Sequence, residues 1–257
     1  MATAEELDAV RPRLLGMIDE ARIVTTTIAR PSPEVIAGFL SVTDLCSTVS
    51  DALDELGVGG AVPASELSPV LAGGRVVGPA ITVRYEPVGG SVGARYGRNE
   101  KALLADRDLY GVGQSGDVAV FDSGGLASVS VMGGLSATWA KRVGIAGCIV
   151  DGGVRDVSTM RKLEQPVWSR GRTPITGRHR VEAVEINGTV SIGGVQVRPG
   201  DLITADETGV CVIPQAHIQA VLDRCLSGEA AESTVISLLE SGAAISEILA
   251  VLSADKW

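Results

Sequence analysis

The fold of this chain is decided by residues 133–140 (GGLSATWA) and 147–156 (GCIVDGGVRD). This stretch predicts a glycine turn that opens a helix, then a buried strand, then a tight turn that presents Arg155 beside Asp156. A helix N-terminus offers free backbone N–H groups and the positive end of a dipole, which suit a carboxylate or phosphate. An Arg next to an Asp can place a fixed cation beside a metal-binding carboxylate. We therefore expect a site for a small anionic substrate here.

The composition is typical of an acidic cytoplasmic enzyme. The chain has 257 residues, 45% of them hydrophobic, and a formal net charge of −9. An acidic chain without a basic run has no electrostatic footprint for nucleic acid. The N-terminus carries Glu5, Glu6 and Asp8 where a signal peptide needs a basic start. No apolar run is long enough to span a bilayer, so we expect no membrane partner.

The four cysteines have neither paired nor metal-ligand spacing and are expected to be small buried hydrophobes in a reducing compartment. They are Cys46, Cys148, Cys211 and Cys225. A catalytic thiol is disfavoured because the chain has two histidines, His179 and His217, and neither lies near a cysteine in the sequence.

Strands that alternate with helices and then give way to hairpins predict an α/β core with a mixed sheet. We expect a helical N-terminal extension at 1–40, the core at 41–215 and C-terminal helices at 216–257. The predicted helices are 4–23, 34–41, 45–56, 99–109, 135–142 and 157–163, with two or three more after 215. The predicted strands are 75–83, 117–122, 145–150, 166–169, 181–186, 189–192, 195–197, 202–206 and 209–213.

Residues 111–116 (GVGQSG) match the dinucleotide-binding pattern G-x-G-x-x-G letter for letter. That pattern requires a strand before it and a helix after it. Here a predicted helix precedes and a predicted strand follows, so the motif is interpreted as a glycine-rich turn.

Three polar residues at the end of the 145–150 strand allow two interpretations. In one, Asp156 caps the helix that begins at Val157, and Arg155 pairs with Asp151. In the other they form a site, because α/β proteins place sites at the carboxyl ends of buried strands. Asp122 ends another buried strand and could converge on the same region, or it could simply form a turn before Gly124.

These residues resemble the RraA-like superfamily. The resemblance rests on residues 133–156, on 199–201 (PGD) and 205–210 (ADETGV), and on the opening segments 50–54 (SDALD) and 78–83 (GPAITV). It covers about 41–215. The superfamily includes the class II 4-hydroxy-4-methyl-2-oxoglutarate/4-carboxy-4-hydroxy-2-oxoadipate aldolases and the RraA regulators of ribonuclease E.

The resemblance implies a β/β/α swivelling-type domain, assembled as a homotrimer or dimer of trimers with the active site between subunits. It implies that Arg155 contacts the keto and enolate oxygen of a 2-oxo acid and that Asp156 binds Mg²⁺ or Mn²⁺. Gly133 and Gly134 would open a helix whose amides at Leu135, Ser136 and Ala137 hold the substrate carboxylate.

One position departs from the aldolase pattern. The aldolases carry an acidic residue where this chain has Gly134, and that carboxylate helps to organise metal-bound water and proton transfer. Asp122, as a second metal ligand, or a carboxylate from a neighbouring subunit could substitute. The aldolases also use a Glu from the C-terminal region of the adjacent subunit, for which Glu232 and then Glu229 are the candidates, although both could be solvated helix residues.

The segment 84–101 is longer and more basic than the family pattern predicts. It carries Arg84, Arg95, Arg98 and Lys101. It could lie over the site and pair a second substrate carboxylate, or it could be a solvated loop and helix face.

The resulting hypothesis is a metal-dependent carbon–carbon lyase that acts on small 2-oxo acids through a pyruvate enolate. It would cleave 4-hydroxy-2-oxo acids, decarboxylate oxaloacetate, or do both, since the two reactions share that enolate. The alternatives are a non-catalytic regulator that binds ribonuclease E, and a different lyase or hydrolase on the same scaffold.

Overall fold

The computed structural model describes residues 1–58 and 60–251, in which helices flank a large sheet. The helices are α1 (Ala4–Val10), α2 (Pro33–Ser41), α3 (Leu45–Leu56), α4 (Val92–Gly97), α5 (Asp106–Val112), α6 (Gly134–Val143), α7 (Val157–Lys162), α8 (Ile218–Glu240) and α9 (Ile245–Val251). The strands are β1 (Ala61–Pro63), β2 (Ser68–Pro69), β3 (Val76–Pro87), β4 (Val118–Asp122), β5 (Ser130–Met132), β6 (Gly147–Val154), β7 (Val167–Arg172), β8 (Val181–Ile186), β9 (Val190–Ile192), β10 (Val195–Val197), β11 (Leu202–Ala205) and β12 (Gly209–Ile213). Short 3₁₀ turns lie at Arg11–Arg13, Glu20–Arg22 and Gln215–His217.

The long strand β3 joins two halves of the sheet. Its first residues pair antiparallel with β11, where Leu202 lies opposite Pro79, and β11 continues into β12 and β1. Its later residues pair in parallel with β4, from Ala80 opposite Val118 onward, and β4 continues into β6 and β7. Strands β4 and β6 run parallel, so their carboxyl ends lie at the same edge of the sheet.

Three apolar clusters hold the layers together. One consists of strand residues from both halves of the sheet and the β9–β10 hairpin, and includes the fully buried Trp168. A second lies between the parallel strands and α5, α6 and α7. A third lies between the antiparallel half and α2, α3 and α8. Two β layers with helices outside them confirm the predicted mixed α/β fold with N- and C-terminal helices.

Several element boundaries differ from the prediction. The first helix ends at Val10, and Pro12 sits in the following 3₁₀ turn, because proline lacks the N–H that a longer helix needs. The predicted helix 99–109 was wrong over its first half. There Asn99 adopts φ 52° and Leu103 accepts a bond from the Ala183 amide of β8, so α5 begins only at Asp106.

The turn expected after residue 150 comes later, at Asp156, because β6 runs on to Val154. Gly153 permits this because a Cβ there would lie 2.4 Å from the Val129 carbonyl oxygen. The glycine-rich segment 111–116 does connect a helix to a strand, as predicted, because α5 ends at Val112 and β4 begins at Val118. The four cysteines are buried and unbonded, as predicted.

In the described ranges no single helix is long and apolar enough to cross a membrane, and α2 and α3 meet that test only as a pair bent by 107°.

Candidate functional site

A cavity of about 580 Å³ opens at the start of α6. Its floor is formed by β5, by the first turn of α6 and by Arg155 and Asp156, which follow β6. Its walls are formed by the segment 96–107 and the loop 176–179. The lining residues are Met17, Tyr96, Asn99, Glu100, Lys101, Ala102, Leu104, Asp106, Arg107, Ser130, Val131, Met132, Gly133, Gly134, Leu135, Ser136, Arg155, Asp156, Thr176, Arg178 and His179. The cavity thus unites most of the predicted site residues, and its size suits a small organic acid.

The first turn of α6 presents backbone amides to this cavity. Gly133 is the N-cap, and the Ala137 amide donates to the Gly133 carbonyl at 3.0 Å. The Gly134 amide donates to Asp156 Oδ2 at 2.9 Å. The amides of Leu135 and Ser136 have no acceptor within the described residues. Two donors at the positive end of a ten-residue helix therefore remain for an anion.

Arg155 and Asp156 form a pair at the mouth of this turn. Arg155 Nε lies 3.4 Å from Asp156 Oδ2, and the two side chains are 36% and 46% exposed. Asp156 adopts φ 56°, a left-handed conformation that turns the chain from β6 into α7 and sends its carboxylate back towards α6. Residues other than glycine seldom adopt this conformation outside functional or turn positions.

The purely structural interpretation of this trio does not match the geometry. Asp151 Oδ1 accepts from Arg170 Nε at 2.5 Å, and its Oδ2 accepts from the Gly193 amide at 2.9 Å, so Arg155 is not its partner. The Asp156 side chain makes no capping bond to α7. It holds the start of α6 instead.

Asp122 does not reach the cavity. Its Oδ1 accepts from the Gly124 amide at 2.9 Å and its Oδ2 accepts from the Ser191 amide at 3.0 Å. It shares the sheet face of Val118 and Val120, whose side chains belong to the cluster between the β layers. This geometry is that of the turn-forming alternative, and it leaves Asp122 without a position from which to ligate a metal beside Asp156.

The candidate carboxylates of the C-terminal helices also lie outside the cavity. Glu232 is exposed on α8. Glu229, one turn earlier, accepts from the Thr43 amide at 2.7 Å. A contribution from Glu232 to the site requires a second copy of the chain.

The space beside Gly134 is already filled. A Cβ at this position would lie 3.1 Å from Thr159 Cβ and 3.2 Å from Asp156 Cβ. An acidic side chain would require α7 to shift, so glycine allows α6 and α7 to approach closely.

The basic segment contributes one wall of the cavity, but its arginines point elsewhere. Arg95 and Arg98 both pair with Glu100, at 2.8 Å and 2.6 Å, and Arg84 pairs with Glu86. Lys101 is the basic residue of 84–101 that lines the cavity, and its ammonium group donates to the Gly16 carbonyl. The predicted role of Arg95 and Arg98 in holding a second carboxylate has no support from this arrangement.

Asp106 and its neighbours were not predicted as site residues from the sequence. Asp106 is the first residue of α5, lines the cavity and is 5% exposed. Burial raises the pKa of its carboxyl, and the nearby Ser136 hydroxyl opposes that rise. The Ser136 hydroxyl lies 2.9 Å from the Tyr110 hydroxyl, and burial raises the pKa of Tyr110 well above its usual range. The only sequence signal was an Asp in the last turn of the predicted helix 99–109, which usually indicates a solvated residue.

Two more cavity residues, Arg178 and His179, also escaped prediction. They belong to the loop before β8, far from the glycine motif in the sequence. His179 is buried, adopts φ 60° and packs edge-on against Tyr96 with ring centroids 4.5 Å apart.

Comparison with known proteins identifies the class to which this fold and site belong. Residues 46–212 match the RraA-like family, described as Aldolase/RraA. A protein of Halalkalibacterium halodurans, provisionally named a 4-hydroxy-4-methyl-2-oxoglutarate aldolase, is 34% identical over 77% of this chain and 84% of its own length. The chain therefore belongs to the RraA-like family.

Two further relatives show the range of the family. DlpA of Legionella pneumophila is 30% identical over 77% of this chain, and the match spans 31% of DlpA, so this chain corresponds to about a third of that protein. The crystal structure of Streptomyces coelicolor RraAS2, an unusual member of the RNase ES inhibitor RraA protein family, is 29% identical with a TM-score of 0.69. It covers 81% of this chain and 98% of RraAS2.

Proposed function

We propose that this protein is a carbon–carbon lyase that releases pyruvate from a small 2-oxo acid through an enolate. The observation that carries the proposal is the convergence of the Leu135 and Ser136 amides with the Arg155 guanidinium in one cavity. The aldolase name of the Halalkalibacterium relative supports the same chemistry. The substrates we propose are 4-hydroxy-2-oxo acids and oxaloacetate.

The start of α6 and Arg155 contact different groups of the substrate. The two free amides bind the carboxylate of the 2-oxo acid, where the helix dipole also favours negative charge. Arg155 then lies beside the keto oxygen. Cleavage of the C3–C4 bond delivers an electron pair to that oxygen, and a fixed guanidinium stabilises the charge where it develops. The reaction is faster because this contact is stronger in the transition state than in the bound substrate.

The residues present fit a divalent cation with few protein ligands. Asp156 Oδ2 is engaged by the Gly134 amide, while Oδ1 accepts no hydrogen bond within the described chain. In the described ranges no group of three or more His, Cys, Asp or Glu side chains is placed to hold a metal ion. Mg²⁺ commonly uses one or two carboxylates and takes its other ligands from water and substrate. Asp156 would hold Mg²⁺ or Mn²⁺, which supplies Lewis-acid stabilisation of the keto oxygen when bound.

A coupled assay for pyruvate release tests the proposal. Wild-type protein is supplied with oxaloacetate or 4-hydroxy-4-methyl-2-oxoglutarate, with Mg²⁺ or Mn²⁺ and again with EDTA. We expect release from at least one substrate and loss of that release with EDTA. Arg155→Ala should lower kcat by about 10²–10³-fold, the cost of removing one donor to a developing oxyanion.

The thermal unfolding midpoint of Arg155→Ala serves as its control. Arg155 is partly exposed and its pair with Asp156 is a surface pair, so its loss should cost at most about 1 kcal/mol. A variant with normal turnover, or a wild type that releases no pyruvate, would refute the proposal.

The main alternative is a regulator that binds a ribonuclease of the RNase E type and catalyses nothing. Its support is the similarity to RraAS2. A pull-down with ribonuclease E beside the pyruvate assay separates the two functions. Retention of the ribonuclease by a protein that releases no pyruvate would favour the regulator. A protein negative in both assays would favour a different lyase or hydrolase reaction at the same cavity.

A further inference from the structure

Aldol cleavage needs a group that accepts the proton of the C4 hydroxyl, because that oxygen becomes a carbonyl as the C3–C4 bond breaks. Within the described chain, three carboxylates line the cavity: Glu100, Asp106 and Asp156. Gly134 adds none. The identity of the base therefore depends on what each of these three carboxylates already contacts.

Two of the three are committed to other partners. Glu100 pairs with Arg95 Nη1 at 2.8 Å and with Arg98 Nη2 at 2.6 Å, and these cations lower the pKa of its carboxyl. A carboxylate with a lowered pKa is a weak base. Asp156 holds the Gly134 amide and lies beside Arg155. A proton on Asp156 would disrupt the start of α6.

Asp106, by contrast, is buried and makes no ion pair within hydrogen-bond distance among the described residues. It is 5% exposed, and its nearest cationic atom is Arg107 Nε at 3.8 Å, beyond hydrogen-bond distance. That Nε is itself buried with no hydrogen-bond partner in the described ranges. Two tyrosines lie near the carboxyl, Tyr85 of β3 and Tyr110 of the same helix α5. Burial raises the pKa of each, so both are uncharged at neutral pH. Arg107 therefore opposes the rise in the pKa of Asp106 only in part, and burial outweighs it.

Two hydroxyl groups lie near the Asp106 carboxyl. Ser136, in the first turn of α6, lines the same cavity as Asp106 and its hydroxyl lowers the pKa of that carboxyl, while the Tyr110 hydroxyl lies 2.9 Å from Ser136 Oγ. Because Asp106 and the first turn of α6 line one cavity, the carboxyl shares that space with the free amides of Leu135 and Ser136.

We propose that Asp106 is the general base of aldol cleavage at this site. This inference rests on the proposed lyase function. The Asp106 carboxylate takes the C4 hydroxyl proton, the C4–O bond becomes a carbonyl, and the electrons of the C3–C4 bond form the enolate. The enolate then takes a proton from water at C3, which yields pyruvate and the second carbonyl product, and Asp106 passes its proton to solvent. Ser136 is a positioning residue, because it acts through Asp106.

The test compares two reactions in Asp106→Asn. Loss of a general base should lower kcat for 4-hydroxy-4-methyl-2-oxoglutarate by about 10²–10⁴-fold while KM changes by less than about threefold. Oxaloacetate has no hydroxyl proton to lose, so its decarboxylation should stay within about threefold of wild type. The rise of kcat with pH on the acid side of the profile should also disappear in Asp106→Asn, and Asp106→Glu should recover part of the lost kcat.

Asp201→Asn is the matched control. Asp201 is also 5% exposed, and burial also raises the pKa of its carboxyl, but it lies outside the cavity and accepts from the Arg198 amide at 2.8 Å. Its neutralisation should leave both reactions unchanged.

Four results of these assays would overturn the proposal, and they differ in what they say about the proposed function. Cleavage by Asp106→Asn at the wild-type rate overturns the proposal, and so does an equal loss of both reactions, which would indicate a structural role. Wild-type release of pyruvate from oxaloacetate alone overturns the proposal and leaves the enolate site intact. A wild type inactive on both substrates overturns the proposed function and this inference with it.

Discussion

At the scale of the residue, Asp156 links three elements through one backbone conformation. Its left-handed φ of 56° ends β6, begins α7 and turns its carboxylate onto the Gly134 amide of α6. Such a conformation costs on the order of 1–3 kcal/mol in a residue other than glycine. The pair with Arg155 and the bond to α6 offset that cost. The strained backbone of Asp156 therefore lies at the site itself, where Arg155 is held beside the free amides of Leu135 and Ser136.

Asp106 gives a prediction of stability as a function of pH. Burial raises the pKa of its carboxyl above the ordinary 3.8, so the folded chain holds this proton more tightly than the unfolded chain. The free energy of unfolding therefore falls as the pH rises from 3.8 through the folded-state pKa. Asp106→Asn has no proton to lose, so its melting temperature should exceed that of wild type at pH 8, with the difference shrinking towards pH 4.

Calorimetry at several pH values measures this difference. Asp201→Asn should show the same trend, since burial raises the pKa of Asp201 as well. The prediction fails if wild type melts at a higher temperature than Asp106→Asn at pH 8, by a larger margin than at pH 4. That result would show that the ionised Asp106 stabilises the fold.

At the scale of the element, the start of α6 depends on its glycines. A Cβ at Gly133 would lie 2.8 Å from Asp156 Oδ2 and 3.1 Å from Arg155 Nε. Both atoms belong to side chains that can move, so alanine would displace the Arg–Asp pair without blocking the fold. The backbone of Gly133 is extended, with φ −142°, and does not itself require glycine.

Gly133→Ala should therefore impair activity more than stability. We expect kcat for pyruvate release to fall by about 10–10²-fold, because a displacement of the order of 1 Å at a catalytic group has that effect. Gly228→Ala is the contrasting variant, since a Cβ there meets no atom within 4 Å inside the exposed part of α8. It should raise the free energy of unfolding by about 0.5–1 kcal/mol and leave kcat unchanged. Equal kcat in the two variants would contradict this account of α6.

At the scale of the whole molecule, the N-terminal segment and the C-terminal helices differ in how they meet the core. Ile23 is fully buried and forms a bridge to Ile186, and Arg30 pairs with the buried Asp117 at 2.8 Å. The C-terminal helices instead carry exposed apolar side chains, with Leu239 at 57% and Ile245 at 70% exposure. Apolar surface of this kind is typical of a contact with another chain.

Mixing of two inactive variants tests whether subunits share the site. If Glu232 acts in the cavity of a neighbouring copy, Glu232→Gln and Arg155→Ala should each lose pyruvate release. Random reassembly of the two in equal amounts should restore about one quarter of the sites, because only one pairing across a head-to-tail interface has both residues intact. Full activity of Glu232→Gln alone would assign Glu232 to the solvated face of α8.

Local patterns in the sequence determined many of the elements. The αL glycine Gly57 ends α3 as predicted, with φ 67°, because glycine alone adopts that conformation without cost. Strands β10 and β12 begin and end at the predicted residues. The glycine-led start of α6 and the neighbouring pair Arg155–Asp156 were likewise readable from residues 133–156, since each depends on a few adjacent positions.

The tertiary structure alone decided which carboxylates meet. Asp122 and Asp106 look alike in the sequence, yet Asp122 holds the β9–β10 hairpin while Asp106 is buried in the cavity wall. The reason is that side chains alternate across a strand, and one residue of offset places Asp122 between the β layers. Asp106 reaches the cavity because the chain before it pairs with β8 through Leu103 and delays α5. Both outcomes depend on long-range pairing, which no local pattern encodes.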